Sequence, residues 1–216
     1  PISRGFLIWK LACRSGYVYR QLLCYGASGK SGVMKEVVLS LMNPYLGEHR
    51  VVYFDSAFTS IDLLLTLWNR NTYAVGKVHP IRVFPYHARQ ATLSKDSFVT
   101  VQHRDCAGLS ATACKFNEWR SELLSTATDL PMATVHITPR HSTQSYPAPE
   151  VLQQYNAFCG GVDEANRLAA FRALHRKHYR AYMTFFEHFV NVAMSNAWFS
   201  PPLRPCAARA RGWPAG

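Results

Sequence analysis

The stretch Val51-Val52-Tyr53-Phe54-Asp55-Ser56-Ala57-Phe58-Thr59-Ser60 decides how the rest of the chain is read. Four consecutive strand-forming residues run into one carboxylate, and a helix-like run, Ile61 to Trp68, follows. A strand apolar on both faces requires cover on both sides. It delivers Asp55 to the C-terminal edge of a sheet, where open α/β sheets gather their ligands. Two readings of Asp55 stand side by side: a functional carboxylate at that edge, or a cap for the following helix, a common job for Asp at a strand-to-helix turn. A second carboxylate, Asp163 in Cys159-Gly160-Gly161-Val162-Asp163-Glu164, shifts the balance toward function.

Toward the N-terminus, Gly5 to Ala12 and Tyr17 to Tyr25 read as two strands joined by Arg14-Ser15-Gly16, an antiparallel hairpin with a short loop. Gly29-Lys30-Ser31 suggests a phosphate loop, but Cys24 stands where the Walker pattern needs its first glycine, and that reading fails. From Lys30 to Met42 the apolar positions Val33, Val37, Val38 and Leu41 recur at helical spacing. Asn43-Pro44 stops that helix, since proline cannot extend it and restricts the residue before it. Ser60 is placed to cap Ile61 to Arg70, whose Leu64, Leu67 and Trp68 share a face, and Tyr73 to Gly76 returns as a strand. The order β-β-α-β-α-β is an α/β layout with one antiparallel hairpin.

Between Val78 and Ala148 the rhythm is lost. Short β-like pieces at Phe98 to Gln102 and Glu122 to Thr126 read as a β-rich insertion that decorates the sheet, and Pro139 to Pro149 reads as a loop. From Glu150 the pattern turns helical again, with Gly160-Gly161 letting the backbone pass close to a neighbour before Asp163. Tyr182, Phe186, Phe189, Val190, Ala193 and Ala197 form the clearest helical stripe, expected to pack in the core. Pro201-Pro202 ends that helix, and the Ala/Arg/Pro-rich remainder has no core-forming pattern and is expected to be disordered.

Of 216 residues, 48% are hydrophobic and 17% charged, which marks a globular chain able to bury one sizeable core. No apolar run reaches the roughly 18 to 20 residues of a membrane span. With 24 Lys+Arg against 13 Asp+Glu the net charge is +11, which favours polyanionic partners, nucleic acid first. The six cysteines contain no C-x-x-C pair, so no zinc cross-brace is encoded. They are expected to be buried free thiols in a reducing compartment. Neither His103-x-x-Cys106 with Cys114 nor His175-x-x-His178 has the further partners a metal cluster needs. Arg167, Arg172, Arg176, Lys177 and Arg180 cluster after Asp163, either as contacts to DNA phosphates or as a solvated helix face.

Asp55 at a strand end and Asp163 at a helix start have the chemistry to hold divalent cations, which stabilise the attacking and leaving oxygens of phosphoryl transfer. Magnesium suits such a site because it takes a few carboxylates and fills its other positions with water. Tyr53-Phe54-Asp55-Ser56-Ala57-Phe58-Thr59-Ser60 resembles the Y-F-D-N-F-F-T-S motif of the piggyBac transposases and the host proteins derived from them, and Gly160-Gly161-Val162-Asp163 resembles their G-G-V-D. Pro1 to Trp9, Ser15-Gly16-Tyr17-Val18, Thr72-Tyr73-Ala74-Val75-Gly76 and Leu124-Ser125-Thr126 match the same family in the same order, so the resemblance runs from Pro1 to about Phe199.

That resemblance implies an RNase H-like (DDE transposase) α/β domain, incomplete at its N-terminal strand, with an insertion and C-terminal helices. Residues 1–77 and 150–200 would form its core, 78–149 the insertion and 201–216 a tail. It also implies a three-aspartate site that binds Mg²⁺, cuts DNA at transposon ends and joins those ends to a target. Asp55 matches the second catalytic and metal-binding aspartate and Asp163 the third, the first being expected upstream of Pro1. Asn166 stands where the family often has a further Asp, Arg14 replaces the Asp of a C-D-S turn, and Lys77 replaces a Thr. The family's C-terminal cysteine-rich zinc module has no counterpart here.

The leading expectation is therefore a transposase catalytic-domain fragment, inactive alone, that retains DNA affinity. It would be nuclear, a homodimer in its full-length form, and without membrane contact or small-molecule cofactor. The alternatives are a domesticated DNA-binding or interaction protein without catalysis, and a nuclease completed by upstream sequence.

Overall fold

A computed structural model describes residues 7–24, 33–79, 84–85, 92–106, 108–116, 119–127, 134–137, 146–171 and 180–199. The chain divides into two compact units, Pro1–Leu23 with Gly160–Gly216, and Cys24–Cys159. Among the described residues no helix is long and apolar enough to cross a membrane.

In the first unit, β1 (Ile8–Ala12) and β2 (Val18–Leu23) form the expected hairpin, paired from Ile8↔Leu23 to Ala12↔Val18 with an irregularity at Leu11/Ala12. Its turn closes through Cys13 N–H to Tyr17 C=O and Gly16 N–H to Cys13 C=O, and Gly16 sits at φ +90°, which only glycine adopts without strain. Helices α4 (Gly161–Phe171) and α5 (Ala181–Ala197) belong to this unit, and Val18, Ala165 and Val192 are its buried apolar centre. The backbone of Val18 is clamped by Asn196, whose Oδ1 accepts the N–H at 2.9 Å and whose Nδ2 donates to the C=O at 2.8 Å.

That clamp reverses the reading of the last helix. The face of α5 turned inward carries Asn191, Val192 and Ser195, while Tyr182 (58% exposed), Phe186 (64%) and Phe189 (46%) stand on the open side with Ala193 and Ala197. Helical spacing identifies a stripe but not what covers it: Asn196 is satisfied by the Val18 backbone, as burial requires, while Asn191 Oδ1 is buried without a partner among the described residues.

In the second unit, α1 (Val33–Met42) ends in a 3-10 turn at Asn43–Tyr45 that takes Pro44 into its first positions. Strand β3 (Val51–Phe54) follows, then α2 (Ile61–Trp68) and β4 (Tyr73–Lys77), parallel to β3. Ser60 caps α2 by accepting the Leu63 N–H at 3.3 Å. Three leucines of α2, Leu63, Leu64 and Leu67, are fully buried, each contributing about 1.5–3 kcal/mol. Gly76 lets Thr59, which precedes the α2 cap, pack closely on β4, because a Cβ there would overlap the Thr59 side chain.

The stretch expected to decorate the sheet instead extends it. Strands β5 (Ser97–Gln102), β6 (Ser110–Phe116) and β7 (Trp119–Ser125) complete a five-stranded sheet of order β3-β4-β7-β6-β5. A second pair, β8 (Thr134–Ile137) and β9 (Tyr146–Pro149), is antiparallel, so part of the expected Pro139–Pro149 loop is strand. Thr126 fastens β7 to β4, donating its N–H to the Ala74 C=O and accepting the Ala74 N–H on its hydroxyl. Helix α3 (Glu150–Phe158) joins Leu152 and Tyr155 to a core of Val75, Cys114 and Leu123. By strand alternation, Val75 faces α3 and Gly76 faces α2, so the sheet is covered on both sides as the β3 sequence requires.

Among the described cysteines all five are free thiols, but only Cys114 is buried; Cys159 is exposed and the others are half-buried. Burial pushes the Cys114 thiol up to about 12 against the opposing charges of Lys77 and Arg120. Cys206, the tail and Gly29-Lys30-Ser31 lie outside the described residues.

Candidate active site

Asp55 is the first residue beyond β3, at the C-terminal end of a parallel pair, and its side chain is exposed. Its Oδ1 accepts the Ser56 N–H at 2.6 Å, and its backbone C=O accepts the Phe58 N–H and the Thr59 hydroxyl, both at 3.1 Å. These bonds make a tight turn in which Thr59 is buried, and they leave Oδ2 without a hydrogen-bond partner among the described residues. Because Ser60 performs the capping of α2, the capping reading of Asp55 falls away.

Helix α3 borders the same edge. Tyr53 stacks on Phe158 with centroids 5.1 Å apart, and burial raises the Tyr53 phenol to about 12. Burial, then the Cys159 and Asp55 charges, pushes the Tyr155 phenol well above its ordinary value. Tyr155 therefore stays protonated at neutral pH and presents no second anion toward Asp55.

In the other unit, Asp163 lies exposed in the first turn of α4, where the helix dipole favours a carboxylate. The place of that turn is set by Gly161: a Cβ there would stand 2.5 Å from the Cys13 carbonyl oxygen, whereas one on Gly160 would meet nothing within 4 Å. Gly16 makes the matching close approach, with Leu168 Cδ1 at 2.9 Å and Ala165 N at 3.1 Å from its would-be Cβ. The close passage expected of the glycine pair is thus the work of Gly161.

One turn after Asp163, Asn166 accepts a hydrogen bond from Lys10 Nζ at 2.7 Å. Lys10 pairs across the hairpin with Gln21, and Gln21 in turn holds the His188 ring at 2.8 Å. Sequence reasoning passed over this group. Its one signal is a charged residue at the centre of the strand Ile8-Trp9-Lys10-Leu11-Ala12.

The basic cluster is placed only in part. Arg167 is held by Glu164 through two bonds of 2.6 and 2.8 Å, which keeps the Glu164 carboxyl below its usual range. Arg180 is exposed and donates to the Tyr182 hydroxyl at 2.8 Å. Arg172, Arg176 and Lys177 lie outside the described residues, as do His175 and His178.

The carboxylates of Asp55 and Asp163 are hard oxygen donors, exposed and without a cation partner among the described residues. Among the described residues no three His, Cys, Asp or Glu side chains gather.

No curated protein matches the chain significantly. A profile of the DDE-type transposase family described as Transposase IS4 matches residues 1–198. Among solved structures, the piggyBac transposase in its synaptic complex with hairpin DNA, determined by cryo-electron microscopy, superposes with a TM-score of 0.75 at 20% sequence identity. The superposition covers 90% of this chain and 40% of that transposase, so the chain spans about two-fifths of the protein it matches. The RNase H-like arrangement that the motifs imply is thereby borne out, and DDE chemistry as a class uses divalent metal. With a family match along nearly its whole length and the fold of piggyBac transposase, the chain belongs to the DDE-type transposases described as Transposase IS4.

Proposed function

We propose that this polypeptide is a portion of a piggyBac-like transposase catalytic domain, with DNA as its ligand and Asp55 and Asp163 as two of the carboxylates that hold Mg²⁺. The observation that carries the reading is Asp55 itself, presented at the end of β3 with one oxygen pinned by Ser56 N–H and the other without a hydrogen-bond partner among the described residues. Asp55 and Asp163 would bind the ion, and the turn at Ser56–Ser60 and the close approach of Gly161 to Cys13 would orient them. Bound there, a divalent cation supplies Lewis-acid stabilisation of the attacking and leaving phosphate oxygens. The family uses three aspartates, and this chain offers two at matching positions, with Asn166 in place of a further acid. The 216-residue polypeptide by itself is therefore proposed to bind metal weakly and to neither cut nor join DNA.

Titration with Mn²⁺ as probe, followed by electron paramagnetic resonance, tests the site. Asp55→Ala and Asp163→Ala should each weaken binding at least about tenfold, since even outer-shell changes cost that much. Nicking of transposon-end DNA that vanishes in Asp55→Ala would overturn the claim of inactivity. Metal binding indifferent to both substitutions would remove the site.

A further inference from the structure

We propose that Lys10 is a preset contact for a DNA phosphate, placed by Asn166 alongside the helical turn that carries Asp163; this rests on DNA being the ligand of the site. Residues three apart on a helix are surface neighbours, with Cβ atoms about 5–6 Å apart. The ammonium that Asn166 holds at 2.7 Å therefore lies on the face of α4 that also carries Asp163.

Its partner sets it apart from four other described cations. Lys35 is paired with Asp62, Arg50 with Glu48, Arg120 with Glu122 and Arg167 with Glu164, so each of these has a carboxylate against it. Lys10 is held instead by a neutral amide oxygen. Gln21 lies opposite it on β2, and the nearby His188 ring from α5 is held toward its neutral form by burial and by Lys10 itself. The charge is thus ordered by a neutral partner.

An ammonium carries three donors, and Asn166 takes one. The half-buried stem is already ordered in the hairpin, so little side-chain freedom remains to be lost when an anion binds. Burial lowers the Lys10 pKa, so an anion placed against it would favour its charged form. A phosphodiester oxygen is the acceptor such a group fits. A chain of net charge +11 draws that ligand to its surface.

The test is anisotropy of a fluorescent duplex DNA titrated at several salt concentrations with the whole 216-residue chain. Lys10→Gln and Lys10→Met, the latter keeping the apolar stem, should weaken binding about 3- to 10-fold at low salt and flatten the slope of log affinity against log salt by about 0.9. Lys10→Arg should restore most of the affinity and the slope. Lys95→Gln removes the same charge from an exposed position before β5 and should leave the slope unchanged. Thermal melts identify any variant that fails to fold, and Lys10→Arg then carries the comparison. A Lys10→Gln slope equal to wild type, or an equal flattening by Lys95→Gln, overturns the proposal while DNA binding stands. Wild-type protein with no salt-dependent DNA affinity overturns both this inference and the reading of DNA as ligand.

Discussion

At His188, burial first and the Lys10 charge second oppose protonation and hold the imidazole below its ordinary value of 6.5. The unfolded chain therefore takes up this proton at a higher pH than the folded one. Where the unfolded state binds more protons, stability rises with pH. The contribution is fully present above the unfolded pKa and is lost as pH falls below it toward the folded value. Melting temperature should accordingly fall between about pH 7.5 and about pH 5.5. His188→Gln, which keeps a polar partner for Gln21, should show a shallower fall over that window. An equal slope in the two proteins, read by circular dichroism melts, would assign the acid sensitivity to other groups.

Among the elements, the packing of α4 on the hairpin turns on a single absent methyl group. Gly161→Ala pushes a Cβ against the Cys13 carbonyl and should cost about 1–3 kcal/mol as an overpacking change. Gly160→Ala meets open space, and should leave the melting temperature unchanged or raise it slightly by restricting the unfolded chain. Comparison of the two melts isolates the contact from glycine's general flexibility. Helices α2 and α5 make a second contrast. Leu64→Ala empties a fully buried position in α2 and should cost about 2–5 kcal/mol. Phe186→Ala lies on the open face of α5 and should change stability by less than about 0.5 kcal/mol, as for an ordinary surface site. Urea melts of the two variants separate an exposed stripe from the core stripe that its spacing suggests.

For the whole molecule the excess of 11 positive charges sets the long-range behaviour, and local pairing decides which charges take part. Each neutralised phosphate contributes a slope of about −0.9 in log affinity against log salt. Arg172 and Arg176 together reversed to Glu should flatten that slope and weaken all DNA sequences alike, because phosphate contacts carry no base information. Arg167→Gln should do much less, since Glu164 already occupies that guanidinium. Equal effects of Arg167→Gln and of a single Arg172→Gln change would mean that the Glu164 pair opens on DNA. Salt titrations with two unrelated duplexes distinguish these outcomes.

The amino-acid sequence by itself determined what depends on neighbours along the chain. Val51 to Phe54 become a strand doubly covered, Ser60 caps α2, Pro44 ends α1, and Asp55 and Asp163 fall at element ends, because propensity, capping and proline geometry act over a few residues. The tertiary structure alone decided what links distant residues. Strand β6, Ser-Ala-Thr-Ala-Cys-Lys-Phe, is poor in strand-forming side chains and exists through its pairing with β5 and β7. The open face of α5 follows from Asn196 binding the Val18 backbone, 178 residues away. The Lys10–Asn166 bond spans 156 residues. Such contacts leave no periodicity behind, because hydrogen-bond satisfaction and close packing are settled only when separated segments meet.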